Sequence, residues 1–109
     1  MTEKPIVLQR LAKVDYESIL IHLYREAGED VAFAFIEELE AAYKQLVAFP
    51  GSGSSRYADI LQIPDLRSWA LQRFPYLIFY CNRPDYIDIW RLLHGHRDIP
   101  ASLLEQIGS

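Results

Sequence analysis

The side chains best suited to chemistry lie in one C-terminal segment, Ile89-Trp90-Arg91-Leu92-Leu93-His94-Gly95-His96-Arg97-Asp98. Histidine titrates near neutral pH, so His94 and His96 could exchange protons while Arg91 holds a phosphate. Metal-independent RNA cleavage needs such a set. A base takes the proton of the 2′-hydroxyl, an acid protonates the leaving 5′-oxygen, and cations stabilise the charge on phosphorus. The cations of the C-terminal half are Arg56, Arg67, Arg73, Arg83, Arg91 and Arg97. Arginine stabilises phosphate well but, with a pKa above about 12, carries protons poorly. The three lysines, Lys4, Lys13 and Lys44, all lie outside the predicted C-terminal strands, and no tyrosine follows Tyr86. That leaves His94 and His96 as the proton carriers near the strand end; no catalytic residue is expected if the chain acts by binding, and the alternative reading gives catalytic work to His94, His96 and Arg91. Residues i and i+2 share a strand face, but Gly95 breaks the strand and no carboxylate is fixed beside the two histidines, so neither a metal nor another cofactor is implied.

Each of these residues also has a plain structural role open to it. His94 can be satisfied by backbone at the end of the last strand, and Arg97 can pair with Asp98. Arg67 and Arg91 can pair with Asp65 or Asp88, or can form an electropositive patch that meets a target or a partner's carboxylates. Arg56 follows the loop Gly51-Ser52-Gly53-Ser54-Ser55, which reads as exposed, and is solvated or meets a partner. Trp69 and Trp90 read as core or groove-lining residues. His22 reads as a packing or surface residue and Cys81 as buried and inert. The acidic face of Glu37, Glu38 and Glu40, with Glu29 and Asp30, reads as solvated.

Apolar spacing gives the elements that position these residues. Ile6 to Leu11 alternates as a strand. Asp15 is a candidate N-cap for a first helix, with Val14 and Ile19 as a hydrophobic staple and a stripe of Tyr16, Ile19, Leu20, Leu23 and Ala27. Gly28 ends that helix. A second helix carries Ala32, Phe35, Ile36, Leu39, Ala42, Tyr43, Leu46 and Phe49 on one face, and Pro50 stops it. So short a connection makes the two an antiparallel hairpin. Strands are expected over Leu66 to Leu71, Tyr76 to Cys81 and Tyr86 to Leu93, the last two joined by the turn Asn82-Arg83-Pro84-Asp85. Alternation in the last strand puts Ile87, Ile89, Arg91 and Leu93 on one face, and a short helix over Ala101 to Ile107 closes the chain. The fold class is α+β, with the N-terminal strand followed by a helical hairpin packed on an antiparallel sheet of three to four strands.

At 109 residues the chain fits one domain over 1–109, and 50% hydrophobic residues exclude disorder. One cysteine excludes an internal disulfide and a zinc site built on several cysteines. Met1 to Arg10 lacks the apolar core of a signal peptide and the apolar runs are too short to cross a membrane, so a cytoplasmic protein is expected. Net charge is −4: residues 1–49 hold five basic and nine acidic side chains, while residues 50–109 hold six of each. Such acidity speaks against strong direct nucleic-acid binding.

The order of pieces resembles the ParE/RelE toxin superfamily. The resemblance rests on the N-terminal strand, Asp15 opening the first helix with Ile19 and Tyr24, the second helix ending in Leu46-x-x-Phe49-Pro50, then Pro50-Gly51-x-Gly53-x-x-Arg56, Leu66-Arg67-Ser68 and Tyr76-Leu77-Ile78-Phe79-Tyr80. The segment Ile89 to Asp98 is similar to the I-x-R-x-x-H-G-x-R-D signature of the ParE-like branch. The resemblance spans about residues 6–105 and implies a toxin of a type II toxin–antitoxin module, of the kind often called plasmid stabilisation proteins. It implies a cognate antitoxin as partner, with DNA gyrase as the target of the ParE branch and ribosome-bound messenger RNA as the substrate of the RelE branch. An inactive antitoxin-binding member stays open as a third reading. Candidates for target or partner contact are Arg56, Arg67, Arg91, His94, Arg97, Trp69 and Trp90. A groove lined by the tryptophans would suit an amphipathic antitoxin helix, and one left open would favour a homodimer.

Overall fold

The computed structural model describes residues 4–108, with side chains through Glu105; the first three residues of the N-terminal segment lie outside it. Strand β1 spans Ile6–Leu8, helix α1 Arg10–Ala27 and helix α2 Glu29–Ala48. A 3-10 turn at Pro50–Ser52 leads to helix α3, Arg56–Leu61. Strands β2 (Leu66–Ala70), β3 (Tyr76–Asn82) and β4 (Ile87–His94) follow, and helix α4 covers Ile99–Gly108.

The sheet order is β1-β4-β3-β2. The β2–β3–β4 meander is antiparallel, as its short connections require. Strand β1 instead joins β4 in parallel, Ile6 opposite Ile87 and Leu8 opposite Ile89, so the sheet is mixed rather than wholly antiparallel. A parallel neighbour needs a long crossover, and the helical hairpin begins it.

Gly28 alone separates α1 from α2, with φ +94° and ψ 176°, a region open essentially to glycine. The hairpin covers one face of the sheet with Phe35, Leu39, Ala42 and Leu46 against Ile78, Tyr80, Ile87, Ile89 and Leu92. The opposite face is also covered. There Leu66, Phe79, Cys81 and Leu93 meet Ile99 and Leu103 of α4 and the partly buried Tyr57, Ala58 and Leu61 of α3. Coverage on both sides explains why β3 reads as a continuous apolar run.

Four expectations need correction. The first helix starts at Arg10, with Gln9 at its N-cap, so Asp15 lies a turn and a half inside it and caps nothing. Phe49 leaves the helical path at φ −136° and is 63% exposed, off the buried stripe. The segment after the glycine–serine loop forms α3, too short to show a period in sequence, and Gly53 within that loop is buried. In β4 the register shifts: Phe79 pairs with Arg91 but Tyr80 with Ile89, leaving Trp90 as an extra residue. This bulge reverses the alternation beyond it. Leu92 therefore joins Ile87 and Ile89 on the hairpin side, and Leu93 turns to the other core.

Candidate functional site

Strand β1 ends opposite Ile89, where the Gln9 amide donates to the Ile89 carbonyl at 2.9 Å. Beyond that point the β1-facing edge of β4 is bare backbone, and α1 fills the gap with Asp15. The Leu92 amide donates to Asp15 Oδ2 at 3.0 Å, as it would to a strand carbonyl. Arg91 closes on the same carboxylate in a bidentate fork, Nε to Oδ2 at 2.7 Å and Nη2 to Oδ1 at 2.9 Å. Its Nη1 donates to the Ser102 carbonyl of α4 at 2.9 Å, and Glu105 Oε2 stands 3.7 Å away. The two side chains are 4% and 7% exposed. The hydrogen bonds to Asp15 raise the Arg91 pKa further above its usual value, against the opposing effect of burial. This cation binds three elements of the fold together, and its fork is filled from within the chain.

Next to it lies a cavity of about 360 Å3 whose lining includes Asp15, Ser18, Tyr76, Arg91, His94, Arg97 and Glu105. The His94 ring meets Tyr76 edge-on at 5.4 Å and lies 5.2 Å from the His96 ring. The His96 amide donates to His94 Nδ1 at 3.1 Å, which puts the proton of a neutral His94 on Nε2. Asp98 Oδ1 accepts the Ala101 amide and so caps α4; among the described residues it makes no salt bridge with Arg97, whose side chain is exposed.

The structure thus gathers Arg91, His94 and Arg97 around one cavity, with His96 beside them, and sets the other candidates apart. Arg56 is exposed, 5.5 Å from the centre of the Tyr57 ring. Arg67 Nη1 donates to the Gly53 carbonyl at 2.8 Å, and neither Arg67 nor Arg91 pairs with Asp65 or Asp88. Asp88 instead accepts from Gln9, Arg83 and Trp90, the last through Nε1 at 3.2 Å. Trp69 is half-buried and lines a separate cavity with Glu38 and Arg73. Among the described residues no cluster of histidine, cysteine, aspartate and glutamate could hold a metal ion, and no helix is long and apolar enough to cross a membrane.

Sequence reasoning missed Asp15 as a partner for Arg91. The signal was its spacing: Ala12, Asp15 and Ile19 are the buried residues of α1, three and four apart, and only one of them is charged. A carboxylate on a buried stripe requires a cation opposite.

Residues 6–99 match the family described as the ParE toxin of the type II toxin-antitoxin system, parDE. A solved structure titled as the chromosomal ParDE TA system from P. aeruginosa superposes with a TM-score of 0.68 at 22% identity, covering 84% of this chain and 96% of that one, a likeness of fold. No curated protein sequence matches. With most of its length matched, from β1 to the first residue of α4, the chain belongs to the ParE toxin family of type II toxin–antitoxin systems.

Proposed function

We propose that the chain is the toxin of a toxin–antitoxin module, that it acts in the cytoplasm by binding and inhibiting DNA gyrase rather than by cleaving RNA, and that a cognate antitoxin neutralises it. The carrying observation is the state of Arg91. The cation best placed beside His94 to hold a phosphorane is sealed under α4, with Asp15 and Ser102 taking its fork. His94 and His96 are left with Arg97 as the exposed cation nearby, and general acid–base work without a clamp on phosphate is weak catalysis. Membership in the ParE family favours gyrase, the target associated with that branch of the superfamily. Target contact is assigned to the exposed Arg56 and Arg97 and to the partly buried His94, Arg67, Trp69 and Trp90, with Arg91 holding the last strand and α4 in place behind them.

Expression of the chain alone from a tightly controlled promoter tests this, with protein synthesis and the DNA-damage response followed in parallel. Damage signalling with translation continuing, and loss of supercoiling by purified gyrase, is the expected result. An immediate stop in translation with cleaved messages, abolished by His94→Ala or His96→Ala, would establish the nuclease reading instead. Unchanged growth would make the chain an inactive antitoxin binder.

A further inference from the structure

The turn that carries α4 is closed by an imidazole. The Gly95 amide donates to the Pro75 carbonyl at 2.9 Å and the Arg97 amide to the His94 carbonyl at 3.0 Å, so residues 94–97 form a β-turn at the end of β4. Inside it His94 Nδ1 accepts the His96 amide at 3.1 Å, the place that an Asn or Asp side chain takes in an Asx-turn. The turn leads straight into α4. Asp98 accepts the Ala101 amide on Oδ1 and the Ser102 amide on its carbonyl, and the Ser102 carbonyl in turn accepts Arg91 Nη1 at 2.9 Å. Among the described residues α4 buries Ile99, Ser102 and Leu103 and nothing else, so it rests on the sheet along a narrow front. Hydrogen bonds and adjoining backbone thus link the His94 ring to the cover over Arg91.

We infer that His94 is a proton-operated catch on α4. An imidazole accepts at Nδ1 only while that nitrogen is bare. Protonation turns the acceptor into a donor and sets it against the His96 N–H, so the turn opens or the ring swings out. The closed turn therefore binds one proton fewer than the open one. Closure is favoured above the range in which imidazoles titrate and is lost as pH falls through it, from about 7 to about 5. The surroundings do not restore it. Around the ring stand Tyr76 from β3, edge-on at 5.4 Å, His96 and Arg97 from the turn, Arg91 from β4, Asp15 from α1 and Glu105 from α4. Asp15 is already spent on Arg91, the Glu105 side chain is 61% exposed and screened by water, and Arg97 repels a positive ring. Mild acid thus loosens α4 and uncovers Arg91, whatever the chain's target.

Amide exchange of the full chain, followed by NMR from about pH 7.5 to about pH 5.5 and corrected for the intrinsic effect of pH, tests this. Protection of the Ser102 and Leu103 amides should fall at least about threefold over that range, while that of Phe79 and Tyr80 in the middle of the sheet holds level. The nitrogen signals of the His94 ring should show the Nε2–H form at the upper end, and the His96 amide signal should move with the same midpoint as the ring. Both readings are made on the unaltered chain and stand whether or not a variant folds. His94→Asn puts an oxygen acceptor that does not titrate in the place of Nδ1, so α4 should stay protected throughout. His96→Gln keeps the backbone donor and should respond to pH as the unaltered chain does. Protection of α4 that is indifferent to pH, a neutral His94 with its proton on Nδ1, or a pH effect that persists in His94→Asn would overturn the inference. So would loss of the effect in His96→Gln, which gives the switch to the other ring.

Discussion

Asp15 and Tyr24 belong to the same helix, about two and a half turns apart, and each occupies the place expected of the other. The carboxylate is 7% exposed and the aromatic 62%. Charged groups are almost never buried unless paired, and large apolar groups pack inside where they can. Each exception therefore reports a requirement from outside α1. Asp15 is inside because the open edge of β4 needs an acceptor for the Leu92 amide and Arg91 needs a counter-charge. Tyr24 is outside beside an apolar groove that nothing in the described chain fills. Charge has been drawn into the framework and apolar surface left on the outside, the reverse of the ordinary distribution on a helix.

The largest effect should come from breaking the buried pair. Arg91→Met leaves Asp15 desolvated and uncompensated and is expected to cost about 3–5 kcal/mol in urea unfolding, and Asp15→Asn nearly as much. The double variant should be far less destabilised than the sum, because the introduced asparagine would still accept the Leu92 amide and no buried charge would remain. Single variants that each cost under about 1 kcal/mol would mean that the pair is not sealed, and the contrast between the two faces would fail.

How far the fold was legible follows from where its determinants lie. The helical hairpin and the β3–β4 hairpin were readable because period and turn residues are local. The bulge at Trp90 was not: Arg91 interrupts the apolar face of Ile87, Ile89 and Leu93, but a charged side chain there reads equally as a patch on an unbroken strand, and the extra residue shows only once Phe79 and Tyr80 lie opposite β4. The parallel docking of β1 and the Asp15–Arg91 pair likewise join residues some eighty positions apart, beyond any window of sequence. At the candidate site the C-terminal motif drew attention to the right neighbourhood. It gave no means of telling that Arg91 faces inwards while Arg97 faces water.

A mid-sized effect is expected at Gly53, in the loop that looks solvated in sequence. A Cβ there would stand 2.6 Å from Tyr80 Oη and 2.8 Å from the Ser68 carbonyl oxygen. That same hydroxyl donates to the Pro50 carbonyl and accepts the Gly53 amide, so it cannot step aside freely. Gly53→Ala should cost about 2 kcal/mol, while Gly51→Ala, with nothing within 4 Å of its Cβ, should be near neutral. Equal effects at the two glycines would show that the loop is not seated on Tyr80.

Alkaline pH probes the second core by a comparable amount. Burial pushes the Cys81 thiol up to about 11 from an ordinary 9.0. Between those values the unfolded chain has released this proton and the folded chain has not, so stability falls as pH rises, by up to about 2–3 kcal/mol across the window. The Tyr43, Tyr76 and Tyr80 hydroxyls are raised by burial as well and extend the loss above pH 10. Unfolding free energies measured from pH 8 to 11 should decline, and Cys81→Val should flatten the decline below pH 10. Stability that rises with pH there would mean that the thiol is not buried.

The smallest stability effect belongs to the exposed groove. Phe33 is 55% exposed, so Phe33→Ser removes surface that folding never fully covered. The unfolding free energy should move by less than about 0.5 kcal/mol, several-fold less than Arg91→Met costs. Serine is a weaker helix former than an exposed position ideally carries, but by only a few tenths of a kcal/mol relative to alanine. A Phe33→Ser chain destabilised by more than about 2 kcal/mol would place this ring in the hydrophobic core rather than at the surface, and the outer face of the hairpin would then resemble the inner face that holds Asp15.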